Sequence, residues 1–285
     1  MQRKTVVVTG ATSGIGAVTA RDLAQMGAHV IVVSRNPKRC KDTVKAIRWE
    51  TGNEEVEYLL ADLSSQAEVR RVAEEILQRD PSLDVLVNNV GAFFLTRRES
   101  IDGIEMTLAL NHLSNFLLTN LLLDRIKATA GEHGEARIVN VASAAHRGAH
   151  IHFDDLQFRR GYNGMAAYGQ SKLANILFTY ELARQLEGTA VTVNALHPGF
   201  VASNFAKNNG LLVKLAMNLA GLFGNSPEKG ARTSVYLASS PEVRGVSGKY
   251  FVKKKAVSSS PESYNKQTAE RLWQMSEALT SLVKA

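Results

Sequence analysis

The sequence predicts one α/β domain built on a doubly wound parallel sheet of about seven strands. Short β-branched runs alternate with helical patterns along the whole chain of 285 residues, as in a parallel sheet covered by helices on both faces. A glycine-rich turn follows the first run, and later runs end in Gly, Ser or Asn, at the edge where such sheets bind ligands. No linker, repeat or low-complexity segment interrupts the pattern. We therefore expect a single Rossmann-type domain over residues 1–285.

The composition is typical of a globular protein with an ample core. Hydrophobic residues make up 45% and charged residues 21%, and no apolar run reaches the roughly 18 residues of a membrane span. The start, from Met1 into an apolar strand, is too short for a signal peptide. The lone cysteine, Cys40, excludes an intrachain disulfide. We expect a cytoplasmic protein; a membrane anchor outside this sequence stays open as an alternative.

The basic charge is spread over the sequence. The formal net charge is +7, and the one tight run is Lys253-Lys254-Lys255, which is typical of a solvated loop. We therefore expect no nucleic-acid partner. Attraction to a phosphorylated cofactor or to an anionic lipid surface is the expected use of the excess charge.

The first βαβ unit carries a glycine-rich turn. A β-branched run, Thr5–Thr9, leads into Thr9–Gly16 (TGATSGIG), then a helical pattern, and then a second apolar run, His29–Val33. Glycines let the backbone approach a pyrophosphate, and the helix N-terminus presents free N–H groups to it. The turn therefore predicts a phosphate site, with a glycine-rich turn that binds nothing as the alternative.

The end of the second run predicts the cofactor. An acid there would bond the ribose hydroxyls of NAD and repel a 2′-phosphate. This strand instead ends in Ser34-Arg35-Asn36, with Lys38 and Arg39 beyond. A guanidinium at Arg35 suits a phosphate, so the sequence favours NADP(H). The alternative for Arg35 is a surface salt bridge.

The other elements continue the alternation. Their predicted strands are residues 56–60, 84–87, 137–141, 191–196 and 249–252, and their predicted helices are residues 37–51, 66–79, 103–130, 165–186, 227–239 and 262–283. Gly91, Ser143 and Pro198-Gly199 each fall just past a strand. They should meet at the ligand-binding edge of the sheet.

Tyr168 and Lys172 form the clearest candidate for acid–base chemistry. They are four residues apart on a predicted helix and so share one face. A tyrosine has an ordinary pKa of about 10, and a nearby ammonium favours the phenolate and lowers that pKa. The pair therefore predicts proton transfer to or from an oxygen. The alternative for Tyr168 is a half-buried aromatic side chain whose hydroxyl is satisfied.

These motifs together resemble the short-chain dehydrogenase/reductase family over essentially the whole chain. TGATSGIG, Asn88-Asn89-Val90-Gly91 and Tyr168–Lys172 resemble its cofactor loop, NNAG motif and YxxxK motif. Ser143, Asn111 and Pro198-Gly199 match its catalytic serine, helix asparagine and PG motif. Val90 departs from the family's usual alanine. Resemblance to the retinol dehydrogenase branch comes from Ser171–Asn175, Leu196–Gly199 and Tyr236–Pro241.

The resemblance implies hydride transfer between NADP(H) and an apolar carbonyl or alcohol, retinal-like at one extreme. Tyr168 would exchange the proton with the substrate oxygen, and Lys172 would lower the tyrosine pKa and bond the nicotinamide ribose. Ser143 would hold the substrate oxygen, and Asn111 would hold a water that links Lys172 to solvent. The alternative for Asn111 is a polar residue bonded to its own helix backbone. A homodimer or homotetramer is the family expectation.

The resemblance also implies the cofactor contacts. Ser13, Ile15 and the glycines would bind pyrophosphate, Asp62 and Leu63 adenine, Asn89 the adenosine ribose, and the backbone near Val201 the carboxamide. An ordinary charge near a helix N-terminus is the alternative for Asp62. The full expected set is Gly10, Ser13, Gly14, Ile15, Gly16, Ser34, Arg35, Asn36, Asp62, Leu63, Asn89, Gly91, Tyr168, Lys172, Pro198, Gly199 and Val201.

The substrate wall is expected in residues 202–226, a lid whose apolar part is Gly210–Gly224. The alternatives are ordinary core, a dimer interface or weak contact with a membrane surface. Further pocket residues are expected at Phe93, Phe94, His146 and Phe205. No metal-ligand spacing is present, so His146 and His197 are taken as structural or pocket residues. A catalytically idle NADP-binding regulator or scaffold is the alternative function, although it would not require the catalytic tetrad of Asn111, Ser143, Tyr168 and Lys172.

Overall fold

The computed structural model describes residues 1–199 and 225–282. In that part of the chain one sheet has the strand order β3-β2-β1-β4-β5-β6-β7-β8. The strands are β1 (Thr5–Thr9), β2 (His29–Ser34), β3 (Val56–Leu60), β4 (Val85–Asn88), β5 (Ala136–Val141), β6 (Val191–His197), β7 (Tyr250–Val252) and β8 (Lys255–Val257). All neighbours pair in parallel except β7 and β8. This confirms the predicted α/β class.

Helices cover both faces of the sheet. They are α1 (Gly14–Gln25), α2 (Pro37–Thr51), α3 (Gln66–Arg79), α4 (Ser114–His133), α5 (Gly164–Gln185), α6 (Pro227–Ser239) and α7 (Lys266–Leu279). Strand β1 shows why two layers are needed, because Val7 joins one buried cluster while Val6 and Val8 join the other. Side chains alternate across a strand, so a run of valines buries both faces.

The order of the strands places the binding edge. Strand β1 pairs with β2 on one side and with β4 on the other, so the chain changes direction across the sheet between them. Open α/β sheets bind ligands beside such a switch point, at the carboxyl ends of the strands. The loops after β1, β4 and β5 therefore face one crevice.

The eighth strand is one more than the sequence predicted. Lys253 and Lys254 adopt φ values of 50° and 65°, which turn the chain so that β8 runs antiparallel to β7. Two consecutive left-handed residues suit this tight hairpin. Glycine or asparagine usually marks such a turn, and lysine does not, so the sequence did not reveal it.

Two helices begin later than predicted. The long helical stretch starts at a short turn, Met106–Leu108, because Glu105 accepts from the Thr107 and Leu108 N–H groups. It passes through a π-helical turn, Ala109–Leu113, before α4. Helix α7 starts after Asn265, whose side chain accepts from the Thr268 N–H. Glu105 and Asn265 are the N-cap residues, and their side chains bond the first free N–H groups of each helix, which fixes where the helix begins.

At the edge opposite the crevice, His29 bridges two acids. Its Nε2 is 3.1 Å from Oε1 of Glu57 and its Nδ1 is 3.2 Å from Oδ1 of Asp80. The hydrogen bond to Asp80, with the charges of both acids, raises the pKa of His29 against the effect of burial. These residues are also close enough to be considered as metal ligands. Because a different acid faces each ring nitrogen, the arrangement fits a protonated imidazole.

Among the helices that the structure describes, none is both long enough and apolar enough to cross a membrane.

Candidate active site

A cavity of about 700 Å³ opens at the carboxyl edge of the sheet. Its lining comes from the loops after β1, β2, β3, β4, β5 and β6 and from the start of α5. The lining residues are Gly10, Ser13–Gly16, Val33–Arg35, Arg39, Ala61–Leu63, Asn89–Phe93, Leu110, Val141–Ala144, Met165, Tyr168, Lys172 and His197–Gly199. The structure therefore brings together most of the residues that the sequence analysis named.

The glycine loop suits a phosphate. Gly10 and Gly14 adopt φ values of 65° and 56°, which favour glycine. Helix α1 begins at Gly14, and the side chain of Ser13 makes no capping hydrogen bond. No acid lies in the first turn of the helix. The N–H groups of this helix end therefore face the cavity without a carboxylate, which is the arrangement that binds phosphate.

Asn89 fastens this loop to the end of β4. Its Nδ2 donates to the carbonyl oxygens of Thr9 and Gly10, at 2.9 and 3.3 Å. The Thr9 hydroxyl oxygen accepts from the N–H groups of Asn89 and Val90, at 3.0 and 3.1 Å. Asn89 lines the cavity, as its predicted ribose contact requires, but the structure shows a second task that the sequence did not reveal. It fixes the shape of the glycine loop.

Cations gather at the end of β2. Arg35 and Arg39 both line the cavity, and Arg39 was not in the predicted site. The side chain of Arg35 is 61% exposed, and its Nη1 is 3.7 Å from Oδ2 of Asp62. An exposed pair at this distance is weak, so Arg35 is available to a ligand. Asn36 does not line the cavity; its side chain instead accepts from the Arg39 N–H and caps α2.

Asp62 and Leu63 line the same end of the cavity. Oδ1 of Asp62 accepts from the N–H and the hydroxyl of Ser64, at 3.1 and 2.8 Å. One carboxylate oxygen therefore stabilises the turn before α3, as the alternative for Asp62 expected. The other oxygen faces Arg35, so the predicted adenine contact stays a prediction.

At the far end of the cavity, Ser143, Tyr168 and Lys172 meet. Ser143 follows β5, while Tyr168 and Lys172 lie one turn apart on α5. The side chain of Ser143 interacts with the Tyr168 hydroxyl and acts to lower its pKa. Lys172 is 3% exposed, and its Nζ donates to the carbonyl oxygen of Val141 at 3.1 Å. Nζ also lies 5.6 Å from the centre of the Tyr168 ring. The three side chains are thus brought together as predicted.

The pKa of Tyr168 moves opposite to the prediction. Burial raises it to about 12, and the interaction with Ser143 only partly offsets this. Burial also lowers the pKa of Lys172 to about 8. The expected net lowering of the Tyr168 pKa is therefore wrong. Desolvation disfavours the charged form of both groups, and it outweighs the attraction of an ammonium that lies over the ring.

Asn111 lies in the π-helical turn and has several protein partners. Its Nδ2 donates to the Ala92 carbonyl oxygen and to Oγ of Ser171, and its Oδ1 accepts from the Ala92 N–H. Its main-chain carbonyl oxygen accepts from Nδ2 of Asn115 and of Asn175. The side chain therefore does not bond its own helix backbone, which was the alternative. The second lone pair of Oδ1 is the position left for the predicted water.

The substrate end is apolar but differs from the prediction. Phe93 lines the cavity and meets the Tyr168 ring edge-on, with centroids 6.0 Å apart. Met165, which was not predicted, lines the cavity while 63% exposed, so it forms part of the rim. Phe94 and His146 are buried and do not line the cavity.

The segment after β6 was predicted to carry cofactor contacts and the substrate lid. Pro198 and Gly199 line the cavity beside His197. Gly199 has a φ of 87°, and a Cβ there would lie 2.8 Å from Nδ2 of Asn225. Val201, Phe205 and the lid up to residue 224 lie outside the described residues.

Comparison with known proteins identifies the relatives of this chain. The sequence pattern of the short chain dehydrogenase family matches residues 4–211. Retinol dehydrogenase 14 of Homo sapiens is 44% identical over an alignment that covers 100% of this chain and 88% of that protein. Polyprenol dehydrogenase of Homo sapiens is 41% identical, with 98% and 86% covered.

Solved structures show the same fold. An uncharacterised protein from Mycobacterium Paratuberculosis superposes with a TM-score of 0.79 at 33% identity, covering 98% of this chain and 94% of that one. The RhlG/NADP active-site complex of Pseudomonas aeruginosa superposes with a TM-score of 0.71 at 28% identity, covering 88% and 94%.

The glycine loop allows a direct test. A Cβ at Gly16 would lie 2.5 Å from Nδ2 of Asn89 and 2.7 Å from the Gly10 carbonyl oxygen, so Gly16→Ala must displace the loop. We expect nicotinamide cofactor affinity to fall roughly tenfold or more, an energy of about 1–3 kcal/mol, in a fluorescence titration. Gly131→Ala is the matched control, because a Cβ there meets no atom within 4 Å. Equal affinity in both variants would contradict the close packing of this loop.

Proposed function

The chain belongs to the short chain dehydrogenase family, and from that membership we propose hydride transfer between NADP(H) and an apolar carbonyl or alcohol. Membership makes the protein an oxidoreductase that uses a nicotinamide cofactor. The finer points, namely NADP(H), the roles of the tetrad and the substrate class, are our proposal. The observation that carries it is one cavity with a phosphate-suited helix end at one side and with Ser143, Tyr168 and Lys172 together at the other.

The residues present fit a dinucleotide. The cavity of about 700 Å³ runs from the cations beside β2, past the open N-terminus of α1, to Tyr168. Glycine at position 16 leaves the room that a Cβ would fill. When bound, the cofactor supplies or accepts the hydride.

The acid in carbonyl reduction is Tyr168. Because burial raises its pKa to about 12, the hydroxyl is protonated at neutral pH and can give its proton to the substrate oxygen. Ser143 donates a hydrogen bond to the same oxygen and stabilises the charge that develops there. The ammonium of Lys172 favours the tyrosinate that remains. Hydride to carbon and proton to oxygen together complete the alcohol, and the reverse transfers oxidise it.

The cations beside β2 support NADP(H). Arg35 and Arg39 line the cavity, and β2 ends at Ser34 without an acid. Two guanidinium groups favour a phosphate over a bare hydroxyl. RhlG, one of the solved relatives, is described as an NADP complex.

An apolar substrate fits the far end of the cavity. Phe93, Leu110 and Met165 line it together with Tyr168, and apolar walls bind apolar surface by excluding water. Two relatives are named for retinol and polyprenol, which are alcohols with long apolar chains. An idle NADP-binding scaffold is disfavoured, since it would not require Ser143, Tyr168 and Lys172 to converge. A homodimer or homotetramer in the cytoplasm remains part of the proposal.

Replacing the tyrosine tests the chemistry. Tyr168→Phe should lower kcat for reduction of a hydrophobic aldehyde by about 10²–10⁴-fold, because general acid catalysis is worth that much. Binding of NADPH, followed by fluorescence, should stay within about twofold of the wild type, because the ring keeps its packing. Tyr236→Phe is the control, since that hydroxyl bonds the exposed Glu242. Retained turnover in Tyr168→Phe would rule out the proposed acid.

Replacing the arginine tests the cofactor. Arg35→Ala should weaken NADPH binding by roughly 10- to 100-fold and leave NADH binding unchanged, because only NADPH carries the phosphate that a guanidinium holds. Lys38→Ala removes the same charge from a side chain that is 87% exposed and pairs with Asp42. This control should change neither affinity. An equal loss for both cofactors would contradict the role of Arg35.

A further inference from the structure

His146 connects the catalytic serine to the C-terminal part of the chain. Its Nδ1 donates to the carbonyl oxygen of Ser143 at 2.6 Å, and its Nε2 accepts from the Ser260 N–H at 3.0 Å. The residue is 0% exposed, and its ring packs against Tyr250 with centroids 4.9 Å apart. It is not among the residues that line the cavity.

The two partners fix the state of this histidine. A carbonyl oxygen only accepts and a main-chain N–H only donates, so Nδ1 carries the hydrogen and Nε2 carries none. Burial, which lowers the pKa of His146 against the opposing bond to Ser143, favours the same neutral form. One tautomer therefore holds both bonds at once.

The bond acts on a residue whose side chain is already constrained. Ser143 has extended backbone angles, and its Oγ accepts from the Ala145 N–H at 3.2 Å. The same side chain lines the cavity with Tyr168 and interacts with its hydroxyl. The carbonyl carbon of Ser143 is bonded to the Cα that bears the side chain. Holding the carbonyl oxygen in place therefore also restricts the position of the side chain.

The other end of the link returns to the helix that carries Tyr168. The carbonyl oxygen of Ser260 accepts from Oγ of Ser263 at 2.6 Å. Ser263 and Ser259 share a hydrogen bond of 2.6 Å, and Ser259 shares one of 2.7 Å with the hydroxyl of Tyr180. Tyr180 lies on α5, three turns after Tyr168. These serines are all buried, so water does not compete for the bonds.

We propose that this path of hydrogen bonds, which runs from Ser143 through His146 to Tyr180 on α5, sets the position of Ser143 relative to Tyr168. His146 is then a positioning residue for carbonyl reduction, and the inference rests on the proposed function. A misplacement of about 1 Å can cost roughly 100-fold in rate. The path joins Ser143 to the helix that carries Tyr168, and both side chains must reach one substrate oxygen.

Two substitutions separate the halves of the link. His146→Asn places an amide near the Nδ1 position and can keep the bond to Ser143, whereas His146→Gln reaches the Nε2 position and can keep the bond to Ser260. If the path must be continuous, each variant should lower kcat by about 10- to 100-fold. The NADPH dissociation constant and KM should each stay within about twofold, because His146 does not line the cavity.

Two further variants guard against a merely structural effect. His29→Gln changes a histidine whose ring nitrogens are also both engaged, at the opposite edge of the sheet, and should leave kcat unchanged. Tyr180→Phe removes one hydroxyl from the far end of the path and should lower kcat in the same direction with a smaller effect. It supplies the test if the His146 variants do not fold, as judged by thermal unfolding.

The outcomes distinguish the two proposals. A wild-type protein that turns over, with folded His146 and Tyr180 variants that keep the wild-type kcat, would overturn the positioning role alone. A rise in KM with kcat unchanged would also overturn it. A wild-type protein that does not oxidise NADPH with any apolar carbonyl would overturn the proposed function, and the positioning role with it.

Discussion

The buried ammonium of Lys172 is the constraint on which the site depends. Its Nζ is bonded to one main-chain carbonyl, that of Val141, and lies over the Tyr168 ring. Taking a charge out of water is costly unless polar groups replace the lost hydration, and here burial lowers the lysine pKa to about 8. The Val141 carbonyl at the end of β5 replaces part of the lost hydration, and α5 places the ammonium of Lys172 against it.

The buried lysine explains the residues found at positions 91 and 111. A Cβ at Gly91 would lie 3.2 Å from Nζ and 3.4 Å from Oδ1 of Asn111, so glycine keeps the space beside the ammonium open. Asn111 in turn is held by Ala92 on one side and by Asn175 on the other. Gly91, Asn111 and the end of β5 therefore lie around one buried charge, which also faces the cavity.

Much of this was predictable from the sequence, for identifiable reasons. Strands buried on both faces give β-branched runs such as Thr5–Thr9, and the carboxyl ends of parallel strands meet at one edge, which brought Ser143 to Tyr168. The spacing of Tyr168 and Lys172 in the sequence does not show that both side chains are buried, so the direction of the Tyr168 pKa shift was predicted wrongly. The hairpin at Lys253 was not revealed because lysine does not usually mark a left-handed turn. The second role of Asn89 and the link through His146 were not revealed because both depend on contacts between residues distant in sequence.

The most direct test is the pH dependence of kcat/KM for carbonyl reduction, which reports the pKa values of the free enzyme. Reduction needs Tyr168 protonated, which holds up to about pH 12, and in this account it also needs Lys172 charged. A lysine is charged below its pKa, so kcat/KM should fall as the pH rises through about 8. Constant kcat/KM up to about pH 10, where an ordinary lysine begins to lose its proton, would contradict the claim that burial of Lys172 governs the site.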